Sequence, residues 1–189
     1  MGPRIETERC LLRLPELADA PAIATYCGDY DVAKNTARIP HPYPALGAEM
    51  WVLITRAGWK PAGNQSLTVE HEGAVIGGGG VFRRKPDADW EIGYWIGKPW
   101  WGQGFATEIG RALVELGTKT LGADRLIAGH YDDNPASGRV LEKLGFRYTG
   151  ESDELFAMAR MGKARSLDMV REARGCDVPS RTEHAIAAG

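Results

Sequence analysis

The residues best suited to chemistry lie in one glycine-rich segment, Trp101-Gly102-Gln103-Gly104-Phe105-Ala106-Thr107-Glu108. Apolar residues recur at helical spacing from Phe105 to Leu116. A glycine turn that opens a helix directs several unpaired backbone N–H groups, with the positive end of the helix dipole, at one point. The segment therefore predicts a site for an anion, most naturally a phosphate.

Two nucleotide-binding motifs match this segment weakly. A P-loop has Lys followed by Ser or Thr after its second glycine, and no such pair follows Gly104. A dinucleotide fold has a third glycine where this chain has Thr107, and here an antiparallel hairpin is predicted upstream of the segment. Neither motif therefore accounts well for the predicted phosphate site.

The surrounding pattern predicts the elements that hold the segment. Trp90–Ile96 is expected to be a buried strand, and the helix after the segment should run from about Gly104 to Thr120. Asn134 and Pro135 are residue types preferred at a helix N-cap and at the first helical position. The other predicted elements are strands at 9–14 and 126–131, helices at 15–28, 29–37 and 48–59, a hairpin at 66–82 that turns at 72–73, and a strand pair at 146–150 and 167–171.

These elements predict an α+β fold with a mixed, mostly antiparallel sheet, as one domain over residues 1–173. The run Gly77–Gly80 inside a strand indicates a bulge or a close approach of two backbones. Residues 174–189 have no periodicity and are expected to form a flexible tail.

Composition argues against several classes of protein. The 189 residues are 43% hydrophobic with a formal net charge of −2, which suits one packed core and gives no field that attracts nucleic acid or membrane. No apolar run approaches the roughly 20 residues that cross a bilayer. Cys10, Cys27 and Cys176 are too few and too scattered for a disulfide framework or a zinc site. We therefore expect a cytoplasmic protein without a metal.

The order of strand, glycine turn, helix and strand, followed by Asn134-Pro-Ala-Ser137 and Gly145-Phe146, resembles the GNAT superfamily of acyl-CoA-dependent N-acetyltransferases. The resemblance covers roughly residues 5 to 173, and Glu6-Thr7-Glu8-Arg9 is similar to the opening of the RimJ/RimL-like ribosomal-protein alanine acetyltransferase branch. Trp101 departs from the family's loop motif, which has Gln or Arg there, whereas Gly104 and Ala106 match it. The family holds pyrophosphate mainly with main-chain N–H groups, so this departure is tolerable.

The resemblance implies the GNAT acyl-CoA N-acyltransferase fold, a central sheet with two splayed strands flanked by helices, and acetyl-CoA as the acyl donor. Pantetheine would lie between the strands predicted at 90–96 and 126–131, and pyrophosphate would bind the amides of the loop. The implied cofactor-binding residues are Trp95, Ile96, Gly102, Gln103, Gly104, Phe105, Ala106, Thr107 and Asn134.

Two residues are candidates for catalysis. Glu91 precedes Trp101 by the offset of the general-base glutamate in related histone acetyltransferases; a strand-end ion pair with Arg83 or Arg84 is an equally weighted alternative. Ser137 is the candidate proton donor to the leaving thiolate, because Leu141 stands where many family members have tyrosine. Ser137 could equally be an ordinary first-turn serine. His130 is an alternative base, although a structural role is favoured for it.

The expected activity is transfer of acetyl to a primary amine by direct attack in a ternary complex. The acceptor would be a protein N-terminal α-amine or a small-molecule amine, with Tyr43, Met50 and Trp51 as candidate contacts. Neither nucleic acid nor membrane is an expected partner, and the protein should be a monomer or a homodimer. The alternative is an acyl-CoA-binding module with weak or no catalysis.

Overall fold

Eight strands form one sheet in the computed structural model, which describes residues 2–173. Every neighbouring pair is antiparallel except β5 and β6, which run parallel, so the mixed, mostly antiparallel sheet of an α+β fold is confirmed. The tail predicted at 174–189 lies outside the described residues. In the sheet order β1-β2-β3-β4-β5-β6-β8-β7, the strands are β1 (Arg4–Glu6), β2 (Cys10–Arg13), β3 (Gln65–His71), β4 (Ala74–Phe82), β5 (Trp90–Ile96), β6 (Arg125–Tyr131), β7 (Arg147–Ala157) and β8 (Gly162–Glu172).

Helices cover both faces of this sheet. Ile109, Leu113 and Leu141 are buried on one face, whereas Ile23 and Val52 belong to a second apolar cluster on the other. None of the helices between residues 2 and 173 is long and apolar enough to cross a membrane. The helices are α1 (Ala20–Gly28), α2 (Tyr30–Ala33), α3 (Ala45–Gly58), α4 (Phe105–Glu115, continued by a π turn at Leu116–Thr120) and α5 (Pro135–Lys143), with 3-10 turns at Leu17–Asp19, Lys98–Trp100 and Met158–Arg160.

The glycine run Gly77–Gly80 lies in β4, and its predicted close backbone approach is confirmed. A Cβ atom at Gly77 would lie 2.5 Å from the carbonyl oxygen of Trp95, and one at Gly80 would lie 2.2 Å from that of Gln65. The register of β3 against β4 also shifts beside this run, between Val69 and Glu70. Side chains are excluded at Gly77 and Gly80 because the backbones of the neighbouring strands occupy their space.

One strand was missed, and several predicted bounds were wrong, among them those of the helix predicted at 48–59, which is Ala45–Gly58. The strand Arg4–Glu6 was missed because three residues give no readable alternation. The helix predicted at 29–37 is shorter, Tyr30–Ala33, and it begins where the side chain of Asp29 accepts from the N–H of Asp31. The last two strands have 11 residues each rather than about five, because most of β7 is exposed and carries no apolar signal.

Strands β5 and β6 pair over only two positions, Trp90 with Leu126 and Glu91 with Ile127. Beyond these pairs they separate, while each keeps its outer partner: β4 stays paired to β5 as far as Ile96, and β8 stays paired to β6 as far as Tyr131. The expected pair of splayed strands is therefore present, and it opens a gap in the middle of the sheet.

Candidate active site

Two cavities meet in the gap between β5 and β6. The first, of about 490 Å³, contains Glu91 and is called here the carboxylate cavity. The second, of about 400 Å³, contains the glycine-rich segment and is called here the loop cavity. The residues that line both cavities are Asn35, Thr36, Tyr94, Trp95 and Ser137.

The loop cavity collects most of the predicted cofactor residues. Gln103 is the exception: its side-chain amide donates to the carbonyl of Pro99 at 3.0 Å, away from the cavity. Sequence spacing could not predict that the Gln103 side chain points away from the cavity, because only the folded loop sets the direction of each side chain. The predicted cofactor residues that line the loop cavity are Trp95, Ile96, Gly102, Gly104, Phe105, Ala106, Thr107 and Asn134.

Left-handed glycines shape the loop. Gly102 has φ +75° and Gly104 has φ +85°, and Gly104 is the N-cap of α4. The N–H of Thr107 is bonded to the carbonyl of Gly104, whereas those of Phe105 and Ala106 have no partner in the described part of the chain. Two free donors at the positive end of a helix suit an anion.

Trp101 links the end of β5 to the loop. Its indole Nε1 donates to the carbonyl oxygen of Ile96 at 2.6 Å, and its ring lines the loop cavity. Trp101 therefore supplies a side-chain N–H donor, as Gln or Arg would at this position. The Ile96 carbonyl has a second lone pair available.

A group of bonds from the β1–β2 turn secures the first turn of α4. The Glu108 carboxylate accepts from the hydroxyl of Thr7 at 2.7 Å, from the backbone N–H of Arg9 at 2.7 Å and from Arg9 Nε at 2.8 Å. Burial opposes ionisation of Glu108, but these hydrogen bonds and the guanidinium charge lower its pKa. Arg9 also donates to the carbonyl of Gln103 at 3.1 Å and lies 4.2 Å from the centre of the Phe105 ring. We call these contacts the Arg9 brace.

Helix α5 adds two cations that the sequence argument missed. Arg139 and Lys143 are one helical turn apart and both line the loop cavity. The sequence shows that these two residues are four apart, but only the packing of α5 beside the loop places both of them at the loop cavity. Cations at this position suit a ligand that carries several phosphates.

The start of α5 lies where the two cavities meet. The Asn134 side chain accepts from the N–H of Ser137 at 3.3 Å, so the predicted N-cap is confirmed. The Ser137 hydroxyl lies 3.2 Å from the hydroxyl of Tyr94 on β5. The sequence predicts Tyr94 only as part of a strand, because no local signal pairs it with Ser137, 43 residues later.

Glu91 is half-buried in the carboxylate cavity; the predicted ion pair with Arg84 is present, and its role as a base stays a prediction. Arg84 Nε lies 3.5 Å from its carboxylate, but the Arg84 side chain is 61% exposed, which weakens the ion pair. Burial raises the pKa of Glu91, while the charges of Arg84 and Arg38 oppose that rise. The net direction is upward, which suits a group that must take up a proton near neutral pH.

His130 also borders the carboxylate cavity, but both ring nitrogens are engaged. Nδ1 lies 2.8 Å from the carbonyl oxygen of Tyr131, and Nε2 lies 3.0 Å from the hydroxyl of Tyr148. This arrangement agrees with the favoured structural role. Of the candidate acceptor contacts, Tyr43 and Trp51 line the cavity, and Met50 is exposed outside it.

Known proteins resemble this chain along most of its length. Residues 9–147 match a model for an acetyltransferase (GNAT) domain. The chain is 43% identical over 155 residues to the uncharacterized N-acetyltransferase YoaA of Bacillus subtilis, covering 79% of this chain and 86% of that protein. It is 31% identical over 146 residues to the uncharacterized N-acetyltransferase p20 of Bacillus licheniformis, covering 76% of this chain and 82% of that protein.

Solved structures share the fold at lower identity. The ribosomal-protein-S5-alanine acetyltransferase of Vibrio fischeri has a TM-score of 0.76 at 20% identity, over 92% of this chain and 98% of that one. The Microcin C7 self immunity acetyltransferase MccE, solved with acetyl-CoA and AMP, has a TM-score of 0.74 at 15% identity, over 87% and 93%. The splayed sheet, the glycine loop and the family match agree, and the chain belongs to the GNAT family of N-acetyltransferases, which use acetyl-CoA as acetyl donor.

Proposed function

We propose that this N-acetyltransferase moves acetyl from acetyl-CoA to a primary amine by direct attack, with both substrates bound together in the gap between β5 and β6. The observation that carries the proposal is the meeting of the two cavities. The glycine-rich loop borders one cavity, a carboxylate borders the other, and Tyr94 and Ser137 border both. A donor and an acceptor can therefore approach each other from opposite sides.

The loop cavity is the proposed binding site of acetyl-CoA. Free amides at the start of α4, with Arg139 and Lys143, would bind the phosphates, and main-chain groups near Trp95 and Ile96 that face the gap would bind pantetheine. Asn134 would orient the donor near the thioester. A backbone N–H on β5 would stabilise charge on the thioester oxygen, a contribution of about 3 kcal/mol in other acyl transfers.

Glu91 is the proposed base, acting directly or through a water. A primary amine is protonated at neutral pH and becomes a nucleophile only after it loses a proton. Burial raises the pKa of Glu91 despite the nearby charges of Arg84 and Arg38, and the raised pKa favours its accepting that proton. Ser137, at the junction of the two cavities, is the proposed hydrogen-bond donor to the leaving thiolate.

The proposed acceptor class includes protein N-terminal α-amines, because the Glu6-Thr7-Glu8-Arg9 opening is similar to the RimJ/RimL-like branch. The fold likeness to the Vibrio fischeri enzyme is compatible with that branch. Small-molecule amines are the second class, since the carboxylate cavity of about 490 Å³ can enclose one.

The test is acetyl-CoA-dependent thiol release over a panel of peptides with free N-termini and of small amines. We expect acetyl-CoA to raise the melting temperature and at least one amine to release thiol above background. Binding of acetyl-CoA with background thiol release over the whole panel would contradict the proposal and favour an acyl-CoA-binding module.

A further inference from the structure

The contact between Tyr94 and Ser137 joins two elements from opposite sides of the gap. The Tyr94 hydroxyl comes from β5, the Ser137 hydroxyl comes from α5, and the oxygens are 3.2 Å apart. Both residues line both cavities. The pair therefore lies where a donor in one cavity would meet an acceptor in the other.

Helix α5 offers only one hydroxyl to this junction. Among Pro135–Lys143, Ser137 is the single residue with a hydroxyl, and Leu141 one turn later is 1% exposed within the apolar core. A lone serine hydroxyl rotates freely and is a weak acid. It needs a fixed hydrogen-bond partner if its proton is to point at one atom.

Tyr94 is suited to be that partner. Its ring packs against the core between the sheet and α4 and α5, which fixes the position of the hydroxyl. Burial raises the pKa of Tyr94 to about 12, so the phenol keeps its proton at neutral pH and can donate it to a hydrogen bond. If Tyr94 donates to Ser137 Oγ, the serine proton is directed elsewhere, into the junction of the cavities.

We propose that Tyr94 is a positioning residue for the departure of the thiolate: it donates to Ser137, which then donates to the sulfur of coenzyme A. The amine nitrogen bonds to the thioester carbon, and the carbon–sulfur bond breaks with its electron pair on sulfur. Glu91 has by then released the proton of the ammonium group to solvent, so it is ionised again and accepts the surplus proton of the nitrogen. The two-hydroxyl chain holds the thiolate until it takes a proton from solvent. This inference rests on the proposed acetyl transfer to an amine.

The experiment is a double-mutant cycle of Tyr94→Phe and Ser137→Ala, measured by single-turnover acetyl transfer with saturating acetyl-CoA. Each single variant should slow transfer about tenfold, the effect of one lost hydrogen bond in the transition state. Because both act through one hydrogen-bond chain, the double variant should be no slower than the slower single variant. The affinity for acetyl-CoA should stay within about twofold of wild type.

Tyr148→Phe is the matched control, since it removes a phenol hydroxyl that lies 3.0 Å from His130 and outside both cavities. It should leave the transfer rate within about twofold of wild type. Additive losses in the double variant, an unchanged rate for Tyr94→Phe, or an equal loss for Tyr148→Phe would overturn the inference. Absence of transfer by the wild-type enzyme with every amine would instead defeat the proposed function.

Discussion

Alanine substitutions at Gly102 and Gly73 can distinguish a loss of cofactor binding from a general effect of backbone strain. Gly102 has φ +75° and Gly73 has φ +79°, and a Cβ atom on either would meet nothing within 4 Å. Alanine in this left-handed region costs about 1–2 kcal/mol at either position. Gly102 lines the loop cavity, whereas Gly73 lies in the turn between β3 and β4.

Gly102→Ala should weaken acetyl-CoA binding about 5- to 30-fold, which is the 1–2 kcal/mol strain expressed as an affinity. The empty loop can relax away from positive φ, and acetyl-CoA must then restore the strained conformation that aims the amides. Gly73→Ala should lower the free energy of unfolding by about the same 1–2 kcal/mol and leave acetyl-CoA binding unchanged.

Isothermal calorimetry gives the Kd for acetyl-CoA, and urea unfolding gives the stability of each variant. The KM for the amine should not change in either variant, because neither glycine lines the carboxylate cavity. A wild-type Kd for Gly102→Ala would refute the assignment of this loop to the cofactor. An equal loss of affinity in both variants would refute the strain argument.

Three further variants test other parts of the structure. Gly80→Ala should lower stability by at least about 1–3 kcal/mol, because its Cβ would lie 2.2 Å from a backbone carbonyl of β3; Gly28→Ala, with open space around the new Cβ, is the control in urea unfolding. Arg9→Ala should raise the KM for acetyl-CoA several-fold with kcat unchanged, since it removes the Arg9 brace behind the loop, and Arg9→Lys should not rescue it because lysine lacks the forked donors. Glu91→Gln should lower kcat/KM, most strongly at acidic pH, where the amine is almost fully protonated and needs a base to become a nucleophile. Glu91→Gln should also raise the free energy of unfolding at pH 7. A carboxyl whose pKa is raised in the folded state stabilises the fold only while it is protonated, and it loses that contribution as pH rises through the folded pKa. An unchanged melting temperature at pH 7 would contradict that account of Glu91.

Local chemistry explains which elements could be predicted from sequence. The strand Trp90–Ile96 was predicted with its observed bounds, because a continuous apolar run is bounded by turn residues. The N-cap at Asn134 and the start of α4 after Gly104 were also predicted, since caps and glycine turns depend on one or two residues. These elements could be predicted because each depends on residues that lie close together in the sequence.

The parts that could not be predicted depend on contacts distant in sequence. The pairing of Tyr94 with Ser137 spans 43 residues, and the Arg9 brace spans 99 residues to Glu108. Similarly, Gln103 carries the same local signal as its neighbours in the loop, and only the fold turns its side chain toward Pro99. The contacts that join these elements, such as that between Tyr94 and Ser137, were therefore found in the structure and not from a motif.

The separation of β5 from β6 also leaves two sheet edges inside the protein. Beyond Glu91 and Ile127, each strand has backbone N–H and C=O groups that no neighbouring strand pairs, within the described residues. Unpaired edges are templates for strands of other molecules and are a common origin of aggregation. We therefore expect the pantetheine arm to act as a missing strand, so that acetyl-CoA protects the protein from self-association as well as supplying the acetyl group.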